Sequence, residues 1–180
     1  ASNPSGVVAV DVNNITTHPP VPNGIKVNAI LSGTYTVGVG GNFATITEAS
    51  NAYNNGCLAG PVTFLLTDAS YPSETFPITF KNINSTSSTP LTIKPAVGIN
   101  PVISGSSTTA IFLFNAADYI TLDGTNGSTV NSLCPLVQAS RNLSITNTNT
   151  STTSAVIWIQ WNQVGAIINS PSNITIMNCN

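Results

Sequence analysis

A three-residue word, apolar–hydroxyl–apolar, recurs five times in this chain and narrows what it can fold into. It reads Val62-Thr63-Phe64, Leu91-Thr92-Ile93, Ile120-Thr121-Leu122, Leu143-Ser144-Ile145 and Ile174-Thr175-Ile176. The steps between copies are 29, 29, 23 and 31 residues. Alternation of this kind marks strands whose first and third side chains share one face. Recurrence at about 20–50 residues marks solenoids, propellers or arrays. One copy cannot bury its apolar face alone, so stability must come from stacking.

The last three copies align over a longer stretch. Leu113-Phe114-Asn115-Ala116, Leu136-Val137-Gln138-Ala139 and Ile167-Ile168-Asn169-Ser170 each end four residues before the first letter of the word, and Gly124, Asn147 and Asn178 follow that letter by four. Gly and Asn best tolerate a positive φ, so a tight bend is expected at each. Strand, bend and strand in fixed register describe one coil of a parallel β-helix. In that fold Val62, Leu91, Ile120, Leu143 and Ile174 form one interior column. Phe64, Ile93, Leu122, Ile145 and Ile176 form the next, and Thr63, Thr92, Thr121, Ser144 and Thr175 face outward. The same register sets Lys94 against Asp123 and Asp118 against Arg141, exposed pairs worth about 0–1 kcal/mol each.

Upstream of the first word, Thr45-Ile46-Thr47-Glu48 has the form of a capping box, and Ile46, Ala49 and Tyr53 then share one helical face ahead of Gly56. A short helix over about residues 45–55 is expected to cap the N-terminal end of the core. Residues 1–41 do not fit the repeat. Pro4, Pro19, Pro20 and Pro22 interrupt them, with Val7-Val8-Ala9-Val10 and Ile25-Lys26-Val27 as candidate short strands. The expected organisation is a lead-in or linker over 1–41 and a β-helix over 42–180. Ile78-Thr79-Phe80 and the alternating Ala155–Trp161 run are expected to supply further strand sides. Trp158 and Trp161 differ in parity, so one of them is expected to face out.

Composition excludes several classes. Only 6% of the 180 residues are charged and the net charge is −2, against an ordinary charged fraction of about 25%. Four basic residues make no footprint for nucleic acid and no polybasic membrane patch. No apolar run reaches the ~20 residues of a membrane-spanning helix. The start lacks the basic and apolar regions of a signal peptide, so a mature or trimmed form is expected. Cys57, Cys134 and Cys179 fall at different offsets from the word and show no metal-ligand spacing, so neither a disulfide nor a metal site is assigned. No cofactor is expected. His18, beside Pro19-Pro20, is read as a solvated loop residue.

The runs Thr34-Tyr35-Thr36-Val37-Gly38, Asn42–Ala49 and Gly60–Phe64 resemble a recurring opening in large secreted and surface proteins of Bacteroidota. Ala117–Gly124 and Ser151–Ile159 resemble the same proteins. The resemblance, over about residues 34–180, implies a right-handed parallel β-helix of the pectin-lyase-like type. It also implies a surface or adhesive role.

Many parallel β-helices cleave polysaccharides, which takes two carboxylates across a sugar or a calcium cluster with a base. The candidates here are Asp118 and Asp123. Both flank a turn, where Asp is common anyway, and six acidic residues spread over the chain form no cluster. No catalytic residue is assigned. A threonine column alone does not make an ice-binding face, since the next column reads Leu65, Lys94, Asp123, Thr146 and Met177. Trp158 and Trp161 are candidate glycan contacts, weighed against packing at a coil corner. The Asn-x-Ser/Thr sequons at Asn14, Asn84, Asn126, Asn142, Asn149 and Asn173 fit chance in so Asn- and Thr-rich a chain. The expectation is an all-β, non-enzymatic structural or adhesive module of a larger extracellular or cell-surface protein or fibre. Its partners would be other domains or copies of the same protein, met through an uncapped C-terminal end at Asn180, and surface glycans. The alternative is a carbohydrate-active enzyme or glycan-binding protein.

Overall fold

The computed structural model describes residues 29–81, 84–127, 140–164 and 166–180. The candidate strands at Val7–Val10 and Ile25–Val27, together with His18, Cys134 and Leu136–Ala139, lie outside these. In chain order the elements are β1 (Ile30–Val37), α1 (Ile46–Asn55), β2 (Cys57–Leu66), β3 (Ile78–Phe80), β4 (Leu91–Pro95), β5 (Val102–Gly105) and β6 (Ala110–Asn115). There follow β7 (Asp118–Asp123), β8 (Ser144–Asn147), β9 (Ala155–Gln160), β10 (Asn162–Val164), β11 (Ile167–Asn169) and β12 (Ser172–Met177).

The largest sheet runs β1-β2-β4-β7-β12, and all its pairings are parallel. Four of the five words stack in it letter on letter. Val62, Leu91, Ile120 and Ile174 pair in one row, and Phe64, Ile93, Leu122 and Ile176 in another. β1 adds a fifth strand with Gly33 opposite Val62, Thr34 opposite Thr63 and Tyr35 opposite Phe64. The stretch read as a lead-in, residues 1–41, thus includes a strand of the main sheet. The hydroxyl row is Thr34, Thr63, Thr92, Thr121 and Thr175.

The single right-handed parallel β-helix expected from the repeat is not what the chain forms. Its strands fall into several small sheets: the five-stranded one, a parallel β3-β6-β9, a parallel β5-β8 and an antiparallel β10-β11. The word Leu143-Ser144-Ile145 leaves the column altogether. Ser144 lies opposite Val102 and Ile145 opposite Ile103, while the neighbour of β7 is β12. The segment Ile167–Asn169, aligned by sequence with Leu113–Asn115, turns back on Asn162–Val164 as an antiparallel pair. The physical reason is that alternation fixes which face a side chain takes but not which strand it lies beside.

The same displacement corrects one of the two charge pairs. With β8 in another sheet, Arg141 does not lie opposite Asp118. Asp118 Oδ1 instead accepts from the Ser172 backbone N–H at 2.6 Å and the Ser172 hydroxyl at 2.7 Å. The expected bends also differ in kind. Of Gly124, Asn147 and Asn178 only Asn178 has a positive φ, 57°. Gly124 is required for space, because a Cβ there would run into the Asn178 carbonyl. Asn147 spends its side chain on four backbone groups: Oδ1 accepts from Ser107 and Asn149 N–H, and Nδ2 donates to the Ser107 and Ala155 carbonyls at 2.9 and 2.8 Å.

The helix forms where its capping residues place it. Thr45 Oγ1 accepts from the Glu48 N–H at 3.0 Å, and Glu48 Oε2 accepts from the Ala44 N–H at 2.9 Å. Glu74, 28 residues on, adds a second cap by accepting from the Ile46 and Thr47 N–H groups at 2.6 and 2.7 Å. A carboxylate there meets both the unpaired amides and the positive end of the helix dipole. Ile46, Ala49 and Tyr53 are fully buried. Tyr53 packs on Phe64 and Phe80, with ring centroids 6.3 and 6.0 Å apart, and Phe80 continues onto Phe112 and Phe114. Tyr53 and those four phenylalanines are each 0% exposed and form the centre of the core.

Candidate functional site

The molecule's two ends are finished differently. At the N-terminal end, Phe43 packs on Phe64 with centroids 5.8 Å apart. The segment around it also occupies the outer edge of β1. Thr36 N–H donates to Asn42 Oδ1 at 2.9 Å, and the Thr36 carbonyl accepts from Phe43 N–H at 3.1 Å. The first strand's edge is therefore satisfied by the chain itself over that stretch.

The C-terminal end has no such cover among the described residues. β12 and β9 are edge strands. Ile176 continues the row of Phe64, Ile93 and Leu122, which are fully buried, yet it is 41% exposed. Ile159 continues the row of Phe80 and Phe114 and is 46% exposed. Both side chains point where the core would continue. Of the eleven large apolar residues exposed in the described chain, seven lie between Val156 and Met177. Exposed apolar area concentrated in this way marks an interaction surface. Residues 142–180 contain no Asp, Glu, Lys or Arg at all. That run without charge was the signal in the sequence for the exposed Ile159, Ile176 and Met177; of these, reasoning from the repeat had assigned only Ile176 to an interior column.

Trp158 and Trp161 both belong to this end and are both exposed, at 40% and 58%. Trp158 lies opposite Leu113, on the outward side of β9. Trp161 comes after the last residue of β9, so strand parity no longer governs it. That is why both indoles face out where one was expected to.

The two candidate carboxylates are engaged in holding turns. Asp118 bridges to β12 through Ser172, as described. Asp123 accepts from the Thr125 N–H and hydroxyl and from Asn178 Nδ2, at 3.0, 2.9 and 3.0 Å. Burial alone would push the Asp123 carboxyl up. The hydrogen bonds from Asn178 and Thr125, with the Lys94 charge nearby, outweigh it and hold it below the usual carboxylate range.

A cavity of about 490 Å³ lies beside the start of α1, lined by residues that include Thr45, Asp68, Tyr71 and Glu74. Its polar groups also have structural partners. Glu74 caps the helix, Asp68 Oδ2 accepts from Val39 N–H at 2.8 Å, and the Tyr71 hydroxyl donates to the Val37 carbonyl at 2.7 Å. Burial, with the charges of Asp68 and Glu74, pushes the Tyr71 hydroxyl up to about 12. Among the described residues no group of three or more His, Cys, Asp or Glu side chains is placed to hold a metal ion. No helix described is long and apolar enough to cross a membrane. Cys57 is an exposed free thiol. Cys179 is free and partly buried, its thiol pushed up by burial and by the Asp123 charge.

No family model, curated protein or solved structure matches this chain.

Proposed function

We propose that this chain is a non-enzymatic structural or adhesive module of a larger extracellular or cell-surface protein or fibre, engaging other domains or copies through its C-terminal end. The observation that carries the reading is the uncovered pair Ile159 and Ile176, inward-facing residues at the end of two otherwise buried rows. The absence of charge from residue 142 onward supports it, as does the employment of Asp118 and Asp123 in turns. The likeness of residues 34–64, 117–124 and 151–159 to surface proteins of Bacteroidota is part of the same proposal. Electron microscopy and intact mass of the native material test it. A larger parent polypeptide or a regular assembly is the expected result, and isolated globular monomers of this length count against it.

A second reading rests on the two exposed indoles. Trp158 and Trp161 offer flat apolar faces flanked by Gln160 and Asn162, a combination that suits a sugar ring. Binding to a panel of polysaccharides, reduced at least tenfold by Trp158→Ala or Trp161→Ala, would favour it. Equal binding by the variants would remove it.

A further inference from the structure

Asparagine is a thermolabile residue, most of all before glycine, which has no side chain to shield its backbone nitrogen. Two such pairs, Asn55-Gly56 and Asn126-Gly127, lie among the described residues, and the fold treats them differently. Asn126 is only 7% exposed. Its Nδ2 donates to Asn100 Oδ1 at 3.1 Å, its N–H donates to Asn142 Oδ1 at 3.4 Å, and its carbonyl accepts from the Gly98 N–H at 3.3 Å. Side chain and backbone are thus both pinned. Asn55 is the exposed last residue of α1. Its Nδ2 donates to the Asn51 carbonyl at 2.7 Å, a contact within the last turn that opens as the helix end frays. The next residue, Gly56, already has extended backbone, with φ −82° and ψ 161°. A cavity of about 470 Å³ beside it, lined by Asn54, Asn55, Gly56, Cys57, Leu58 and Asn84, admits water and leaves room for a ring to close. Packing also dictates the glycine. A Cβ at position 56 would lie 2.8 Å from the Ala52 carbonyl oxygen and 2.9 Å from Leu31 Cδ1.

We propose that Asn55-Gly56 is a self-modification site, at which the native chain deamidates in preference to Asn126-Gly127. Base takes the proton of the Gly56 N–H, and the nitrogen attacks Asn55 Cγ. The new C–N bond closes a succinimide while the Cγ–Nδ2 bond breaks, and Nδ2 takes up a proton and leaves as ammonia. Water then opens the ring at either carbonyl, giving aspartate or isoaspartate at position 55. Both products put a carboxylate at the negative end of α1, whose last turn holds no basic residue. Isoaspartate also adds a methylene to the main chain between α1 and β2, next to the Cys57 N–H bond to the Ala29 carbonyl. The modification therefore loosens the helix that covers the N-terminal end of the core.

Peptide mapping by mass spectrometry, with isoaspartate detected by enzymatic methylation, tests this on the 180-residue chain aged at physiological temperature in mildly alkaline buffer. Conversion at position 55 is expected to be at least tenfold faster than at position 126 in the native chain. The two sites are expected to convert at similar rates in urea. Equal native rates, faster conversion at 126, or no conversion at 55 overturns the proposal. Asn55→Gln is expected to keep the denaturation midpoint of the fresh chain and to hold it on ageing. Asn55→Asp is expected to lower that midpoint from the start. An Asn55→Asp midpoint equal to that of the fresh chain overturns the loosening of α1.

Discussion

The N-terminal and C-terminal halves of this molecule use similar strands and end in opposite ways. All six phenylalanines lie before residue 115, and five of them join Tyr35 and Tyr53 in a continuous run of ring contacts. Both tryptophans lie after residue 157 and are exposed. The first half also closes itself, with α1, Phe43 and the Asn42 contact to β1. The second half carries its apolar rows to the surface and leaves them there. The difference teaches that stacking alone does not finish a sheet of this kind. An end needs its own element, and among the described residues only the N-terminal end shows one.

The contrast predicts a gradient of stability, which chemical denaturation of single variants measures. The largest loss is expected from Phe80→Ala, which removes the ring that joins α1 to β6. About 3–5 kcal/mol is expected. Next comes a matched pair, Ile93→Ala and Ile176→Ala, on either side of Leu122 in one row. Ile93→Ala is expected to cost about 2–5 kcal/mol, and Ile176→Ala less than about half of that, since its side chain is already 41% exposed. Equal losses would mean that the C-terminal end is covered in solution. Asn147→Ala leaves backbone groups of Ser107 and Ala155 without partners and is expected to cost about 1–3 kcal/mol.

The smallest effects are those of pH. Asp123 has a folded pKa below its unfolded value of about 3.9. Its contribution is complete above that value and disappears as pH falls through the depressed folded value. An acid titration of stability should therefore lose a component below about pH 4 that Asp123→Asn lacks. Tyr71 behaves in the opposite sense. Its hydroxyl is raised to about 12, so its contribution is complete below about pH 10 and is lost as pH rises toward 12. Tyr71→Phe should flatten that alkaline limb.

The parts of this picture legible in the sequence were those set by local chemistry. Thr45 and Glu48 announced α1 to within a residue. The alternation in four words gave the buried and outward faces of the main sheet and the register among β2, β4, β7 and β12. Strand partnership was harder to read. Leu143-Ser144-Ile145 obeys the same alternation as its relatives, yet it lies beside Val102 and Ile103, because a word that fixes a face is silent about its neighbour. β1 escaped notice because Gly33 stands where the others have a branched apolar residue. The candidate site was half legible. Trp158 and Trp161 were picked out, but the exposure of Ile159 and Ile176 depends on their place in the edge strands β9 and β12, which pattern alone does not reveal.

The threonine row has an evolutionary corollary. Thr34, Thr63, Thr92, Thr121 and Thr175 sit like upon like, and the apolar rows beside them do nearly the same. A tandem copy of one strand, inserted by gene duplication, would find compatible company on either side. The height of such a sheet is thus cheap to change, whereas its cross-section is held fixed by the rings inside.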